Sequence, residues 1–105
     1  MQPGNLFGDA QTPREGERLE TILSHRNVVI ERIISSANVS PHEYVQDQDE
    51  WVLLLKGEAV IQMADESISL KSGDYLFLPA NAPHTVERTS EGAMWLAVHL
   101  HPESK

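Results

Sequence analysis

The sequence predicts an all-β domain, an antiparallel barrel or sandwich, on three observations. Short runs rich in β-branched and aromatic residues recur at 28–34, 51–55, 59–63, 67–70, 75–78, 85–87 and 94–101. They are separated by turn chemistry: Ser40-Pro41, Lys56-Gly57-Glu58, Ala64-Asp65-Glu66, Ser72-Gly73-Asp74, the segment from Pro79 to Pro83, and Ser90-Glu91-Gly92. No long helical periodicity lies between them, so neighbouring strands connect through short turns and pair antiparallel.

Residues 1–17 place Gly4, Gly8, Pro13 and Gly16 among polar residues, and this composition favours irregular backbone. An arm lying on the domain is expected there, with the barrel domain itself over 18–105. The first apolar set, Leu19, Ile22 and Leu23, fits a helical turn or a first strand at this length. Arg32, in the run 28–34, is expected to face solvent or pair with a carboxylate; turned inward, it would imply an anionic ligand. In the last run Trp95, Ala97, His99 and His101 share one face, and Met94, Leu96, Val98 and Leu100 share the other. One of these faces must be core. Trp51 and Trp95 are expected as core or interface aromatics, because large rings contribute mainly through buried area.

A chain of 105 residues holds one domain with a modest core. Asp plus Glu number 16 against 8 Lys plus Arg, and the formal charge of −8 repels phosphate backbones and anionic membranes. Neither nucleic acid nor a membrane is therefore expected as a partner, and no apolar run approaches the roughly 20 residues that span a bilayer. With no cysteine, disulfides, thiolate nucleophiles and thiolate-bound metals are excluded, which suits a reducing compartment. The opening Met1-Gln2-Pro3-Gly4-Asn5 has neither the basic nor the apolar region of a secretory signal, so a cytoplasmic location is expected.

The stretch from Gly73 to His84 turns, extends, turns again over two prolines and then presents a histidine. It resembles the second motif of the cupin superfamily, G-x5-P-x-G-x2-H-x3-N, with Gly73, Pro79 and His84 in register. Asn81 stands at a glycine position and Arg88 at the asparagine; Asn is the non-glycine residue that best tolerates a left-handed backbone. Upstream, Glu50-x6-Gly57 is similar to the end of the first cupin motif, G-x5-H-x-H-x3-E-x6-G. There Tyr44 and Gln46 replace the two histidines and Asn38 the leading glycine, which suggests a retained backbone shape with a changed ligand set. Fifteen residues separate Gly57 from Gly73, resembling the short spacing of small prokaryotic cupins.

The resemblance implies a small cupin-type double-stranded β-helix, or jelly-roll barrel, with an internal pocket. It also implies a divalent metal held, in many members, by the motif histidines and glutamate. In this chain the implied metal ligands become Gln46, Glu50 and His84, with His42 and His99 in reserve, a set that does not distinguish zinc, iron, manganese or nickel. Two classes of function follow. In the first the protein is an enzyme acting on a small molecule, through such a metal or, metal-free, with His84 as base and Tyr44 as acid, similar to the sugar-epimerase branch of the superfamily. In the second it is a metal-free small-molecule-binding or accessory module. The plainer alternatives are a core histidine for His84, a strand-edge surface carboxylate for Glu50, an exposed loop residue for His42 and a satisfied or solvent-facing histidine for His99. Cupin barrels often pair through strand edges, so a homodimer is expected.

Overall fold

Every β-rich run expected from the sequence contains a strand, the last ending at Leu100 and not at His101. The computed structural model describes residues 1–102, so the last three positions of the expected 18–105 domain lie outside the described residues. The strands are β1 (Glu17–His25), β2 (Val28–Ser35), β3 (Glu43–Tyr44), β4 (Asp49–Lys56), β5 (Glu58–Met63), β6 (Glu66–Lys71), β7 (Tyr75–Leu78), β8 (His84–Thr89) and β9 (Ala93–Leu100). They form two antiparallel sheets, ordered β1-β2-β9-β4-β7 and β3-β8-β5-β6, in the jelly-roll arrangement. No helix long and apolar enough to cross a membrane occurs among the described residues.

The open question over the first apolar set resolves as a strand. β1 pairs antiparallel with β2, and its register shifts between Thr21 and Leu23, setting Ile22 in a bulge. β3 has no counterpart in the sequence reading because two residues carry no readable period. Alternate residues of β4, β5 and β9 point into the barrel, and Val52, Leu54, Ile61, Ala93, Trp95 and Ala97 form much of its buried core.

Arg32 takes the second of its two expected places, paired with a carboxylate. It does not face solvent but is 4% exposed, and it lies opposite in pleat to the inward-facing Ile33. Its Nε donates to Glu20 Oε1 at 3.0 Å, and its terminal nitrogens donate to the carbonyls of Leu6 at 2.9 Å, Gly8, and Asp9 at 3.1 Å. The carboxylate pairing expected from sequence is present, and the remaining donors hold the N-terminal segment against the chain's own sheet. Further along, Gly16 N–H donates to the Asn38 carbonyl and Ser36 N–H to the Gly16 carbonyl, each at 3.0 Å. The two Asn-for-Gly positions behave differently. Asn81 has φ of 66° and occupies the left-handed region as its motif position requires. Asn38 is not left-handed, and its amide instead donates to the Arg14 carbonyl at 3.3 Å.

Candidate functional site

The pleat places one polar residue and, two positions on, one apolar residue from each of several strands on the same inward face. Glu31 with Ile33, Glu50 with Val52, and His84 with Val86 all line one cavity of about 220 Å³. Glu17 of β1, Tyr44 of β3, Gln46 and His99 of β9 complete its polar wall, while Ile61, Leu78 and Trp95 extend the hydrocarbon one. The volume exceeds the ~150 Å³ of an engineered apolar cavity that accommodates benzene, so the space suits a small organic molecule.

Strand register decides which polar groups meet. Glu50 lies directly opposite His99 across β4 and β9, and Tyr44 opposite His84 across β3 and β8. The Tyr44 and His84 rings stack with centroids 5.8 Å apart. His99 Nε2 donates to Glu31 Oε1 at 2.7 Å, and the Gln48 amide, 3.3 Å from Nδ1, supplies the donor to the other ring nitrogen. Both ring nitrogens of a neutral imidazole are thereby used. Glu17 Oε2 accepts from the Ser35 hydroxyl at 2.8 Å, which in turn accepts from Trp95 Nε1 at 3.2 Å. His84 directs Nδ1 toward the Ala82 carbonyl at 3.4 Å, leaving Nε2 as its free nitrogen.

Glu50 differs from the other two carboxylates. Its side chain is 8% exposed and makes no hydrogen bond among the described residues; the nearest imidazole nitrogen, His99 Nε2, stands at 4.0 Å and already serves Glu31. Burial raises the Glu50 pKa above its ordinary 4.5, opposed by His99 and His84 and reinforced by Glu31 and Glu17. The Tyr44 phenol is also raised, first by burial and then by Glu17, so it enters the site as a proton donor.

A raised carboxyl pKa has a definite consequence for stability. The folded chain holds this proton to higher pH than the unfolded chain does. The contribution is therefore fully present below 4.5 and is lost as pH rises through the folded-state value. Glu50→Gln should be more stable than wild type at neutral pH, by a margin that shrinks on acidification. Urea midpoints of both proteins from about pH 8 down to about pH 4 check this, and parallel curves would refute it.

The same donors bear on whether the cavity suits a divalent metal. Among the described residues no group of three or more His, Asp or Glu side chains is arranged to hold one. His99 has both nitrogens engaged, Tyr44 retains its proton, and Glu31 and Glu17 each have one carboxylate oxygen committed, so among the described residues Glu50, His84 Nε2 and the Gln46 amide are the cavity-lining donors without a side-chain partner. This set does not fit a preformed metal centre. Of the residues expected from sequence, Tyr44, Gln46, Glu50, His84 and His99 line the same cavity, whereas His42 is exposed and touches only the edge of Tyr44. His99 is inward and hydrogen-bonded, so the satisfied alternative and the pocket-lining one both describe it. Glu17 and Glu31 were missed. They lie outside the motifs, and the only sequence signal for Glu31 is its alternation with Ile33 in an otherwise apolar strand.

A β jelly roll enclosing a ligand-sized cavity between its sheets defines the cupin class of barrel. A sequence model described as "Cupin domain" matches residues 29–100, and the chain belongs to that family. It is 33% identical over 89 residues to an uncharacterized protein of Aquifex aeolicus, covering 81% of this chain and 73% of the relative. Among solved structures it resembles a "putative mannose-6-phosphate isomerase" of Ralstonia eutropha JMP134, at 35% identity and a TM-score of 0.89, covering 97% of this chain and all of that one. A cupin superfamily protein of Desulfitobacterium hafniense DCB-2 shares the fold at 23% identity and a TM-score of 0.79, covering 97% of this chain and 94% of that one.

Proposed function

We propose that the protein holds a small organic molecule inside the barrel and exchanges a proton with it through Glu50, without a metal. One observation carries this reading: Glu50 is a buried carboxyl with no hydrogen-bond partner among the described residues, turned into a cavity that is hydrocarbon on one wall and polar on the other. Burial raises its pKa, so Glu50 takes up a proton more readily than an ordinary glutamate does, and His84 Nε2 and the Tyr44 hydroxyl are the groups that would complete an acid–base set around the ligand. A phosphorylated sugar, the substrate class in the name of the Ralstonia protein, suits this pocket poorly. Among the described residues no Lys or Arg lines it and three carboxylates do. At an effective dielectric near 20, each ionised carboxylate about 6 Å away would oppose a unit negative charge by about 3 kcal/mol.

The metal reading is separated by elemental analysis of protein purified without added metal. Content far below one equivalent, unchanged in Glu50→Ala and His84→Ala, is the expected result. Stoichiometric metal in the wild type that is lost from both variants would restore Gln46, Glu50 and His84 as ligands. For a ligand found by thermal-shift screening, hydrogen–deuterium exchange at one of its carbons in heavy water, present with wild type and absent with Glu50→Gln, marks an enzyme. Binding without exchange marks a non-catalytic module.

We further infer a homodimer, formed through the outer face of the five-stranded sheet. Trp51 and Tyr75 have ring centroids 5.6 Å apart there, Phe77 lies opposite Trp51 in register, and Tyr75 and Phe77 are 64% and 53% exposed. A sheet that is apolar on both faces needs a cover, and a second copy presents the same surface. Wild type should sediment as a dimer at micromolar concentration and Phe77→Lys as a monomer; a monomeric wild type would exclude this pairing.

A further inference from the structure

The geometry points to a small organic cation, an ammonium or amidinium group carried on a compact hydrocarbon body, as the ligand of the barrel cavity. This rests on the reading that the barrel binds a small molecule, and it identifies the chemistry of that molecule. Charged and titratable side chains reach the cavity from six strands: Glu17 on β1, Glu31 on β2, Tyr44 on β3, Glu50 on β4, His84 on β8 and His99 on β9. None is a lysine or an arginine. The nearby arginines are committed elsewhere. Arg32 is used by Glu20 and three backbone carbonyls on the opposite face of β2, and Arg18 by Asp9, Glu20 and the carbonyl of Gln11.

Two of the three carboxylates have partners within the protein, Glu31 in His99 and Glu17 in Ser35. Glu50 has none, although its side chain is more than nine-tenths buried and faces the cavity. Among the described residues no sealed side-chain oxygen lacks a partner, so the Glu50 oxygens open onto the cavity itself, where a ligand that displaces water must supply their hydrogen bonds. An N–H cation in the cavity supplies a counter-charge and a donor together, in a wall that otherwise repels anions. The hydrocarbon part of such a ligand has Ile33, Val52, Ile61, Leu78 and Val86 to lie against.

Three probes of nearly the same shape test this: cyclohexylammonium, cyclohexanol and cyclohexanecarboxylate, each titrated against the full chain by calorimetry and by thermal shift. The ammonium should bind tightest and the carboxylate not at all. Glu50→Gln should weaken the ammonium about tenfold or more while leaving the alcohol within about twofold. Glu31→Gln, which leaves Glu50 in place, should weaken the ammonium less. Ammonium binding that is indifferent to Glu50→Gln reports only the acidic exterior and overturns the assignment. So does equal affinity for ammonium and alcohol, a preference for the carboxylate, or stoichiometric binding of zinc or manganese that requires Glu50 and His84. If none of the three probes binds, the small-molecule reading fails along with this one. If the alcohol or carboxylate binds best, that reading survives and only the cation is lost.

Discussion

Arg32→Met should lower the unfolding free energy by about 2–3 kcal/mol, a large share of the roughly 5–15 kcal/mol that holds a domain folded. Methionine keeps the unbranched stem and removes the fork. The loss leaves the carbonyls of Leu6, Gly8 and Asp9 without their donor, and it leaves Glu20 with only Arg18, whose nearest nitrogen stands at 3.4 Å. A fully buried pair would cost more. Here the Glu20 side chain is 33% exposed, so water recovers part of the lost interaction and the figure falls below the usual range for breaking a buried pair. Urea unfolding measures the loss, and trypsin should cut faster after the exposed Arg14 as the N-terminal segment comes away and its backbone is freed. An unchanged midpoint with an unchanged rate of cleavage after Arg14 would show that the segment is held by something other than this guanidinium.

Gly57→Ala should be costlier still, at about 2–4 kcal/mol. Gly57 sits between β4 and β5 with φ of 93°, a region where any Cβ is strained. A Cβ built there would also lie 2.6 Å from Ser90 Oγ and 3.0 Å from Ala93 Cα. Gly73, with φ of 95° and nothing within 4 Å, isolates the backbone part, so Gly73→Ala should cost about 1 kcal/mol. Chemical denaturation of the two variants side by side reads the difference. Equal losses would mean that the turn relaxes away from Ser90 and Ala93.

The strands were legible because turn residues punctuate apolar runs at short intervals, and β7 coincides with its expected run at 75–78. The site was legible only along its motif. Their register in the two cupin-like motifs identified Glu50 and His84, and both line the cavity together with Tyr44 and Gln46. Glu17 and Glu31 escaped notice because inward carboxylates on edge and near-edge strands look, in one dimension, like surface charge. For Arg32 the carboxylate partner was legible, but the three backbone carbonyls it also holds were not, since no side-chain pattern records them. Asn38 shows the limit of reasoning by position, since it takes a glycine's place in the motif without taking its conformation.

Strand β2 carries Glu31 inward to His99 and, at the next residue, Arg32 outward to the N-terminal segment. The pocket wall and the anchor of the chain's first residues are thus the two sides of a single peptide unit. Trimming those residues, or loading them with a bulky tag, should therefore be felt inside the barrel. Ligand affinity compared between full-length and N-terminally shortened protein would register that pull before any change in the barrel itself became visible.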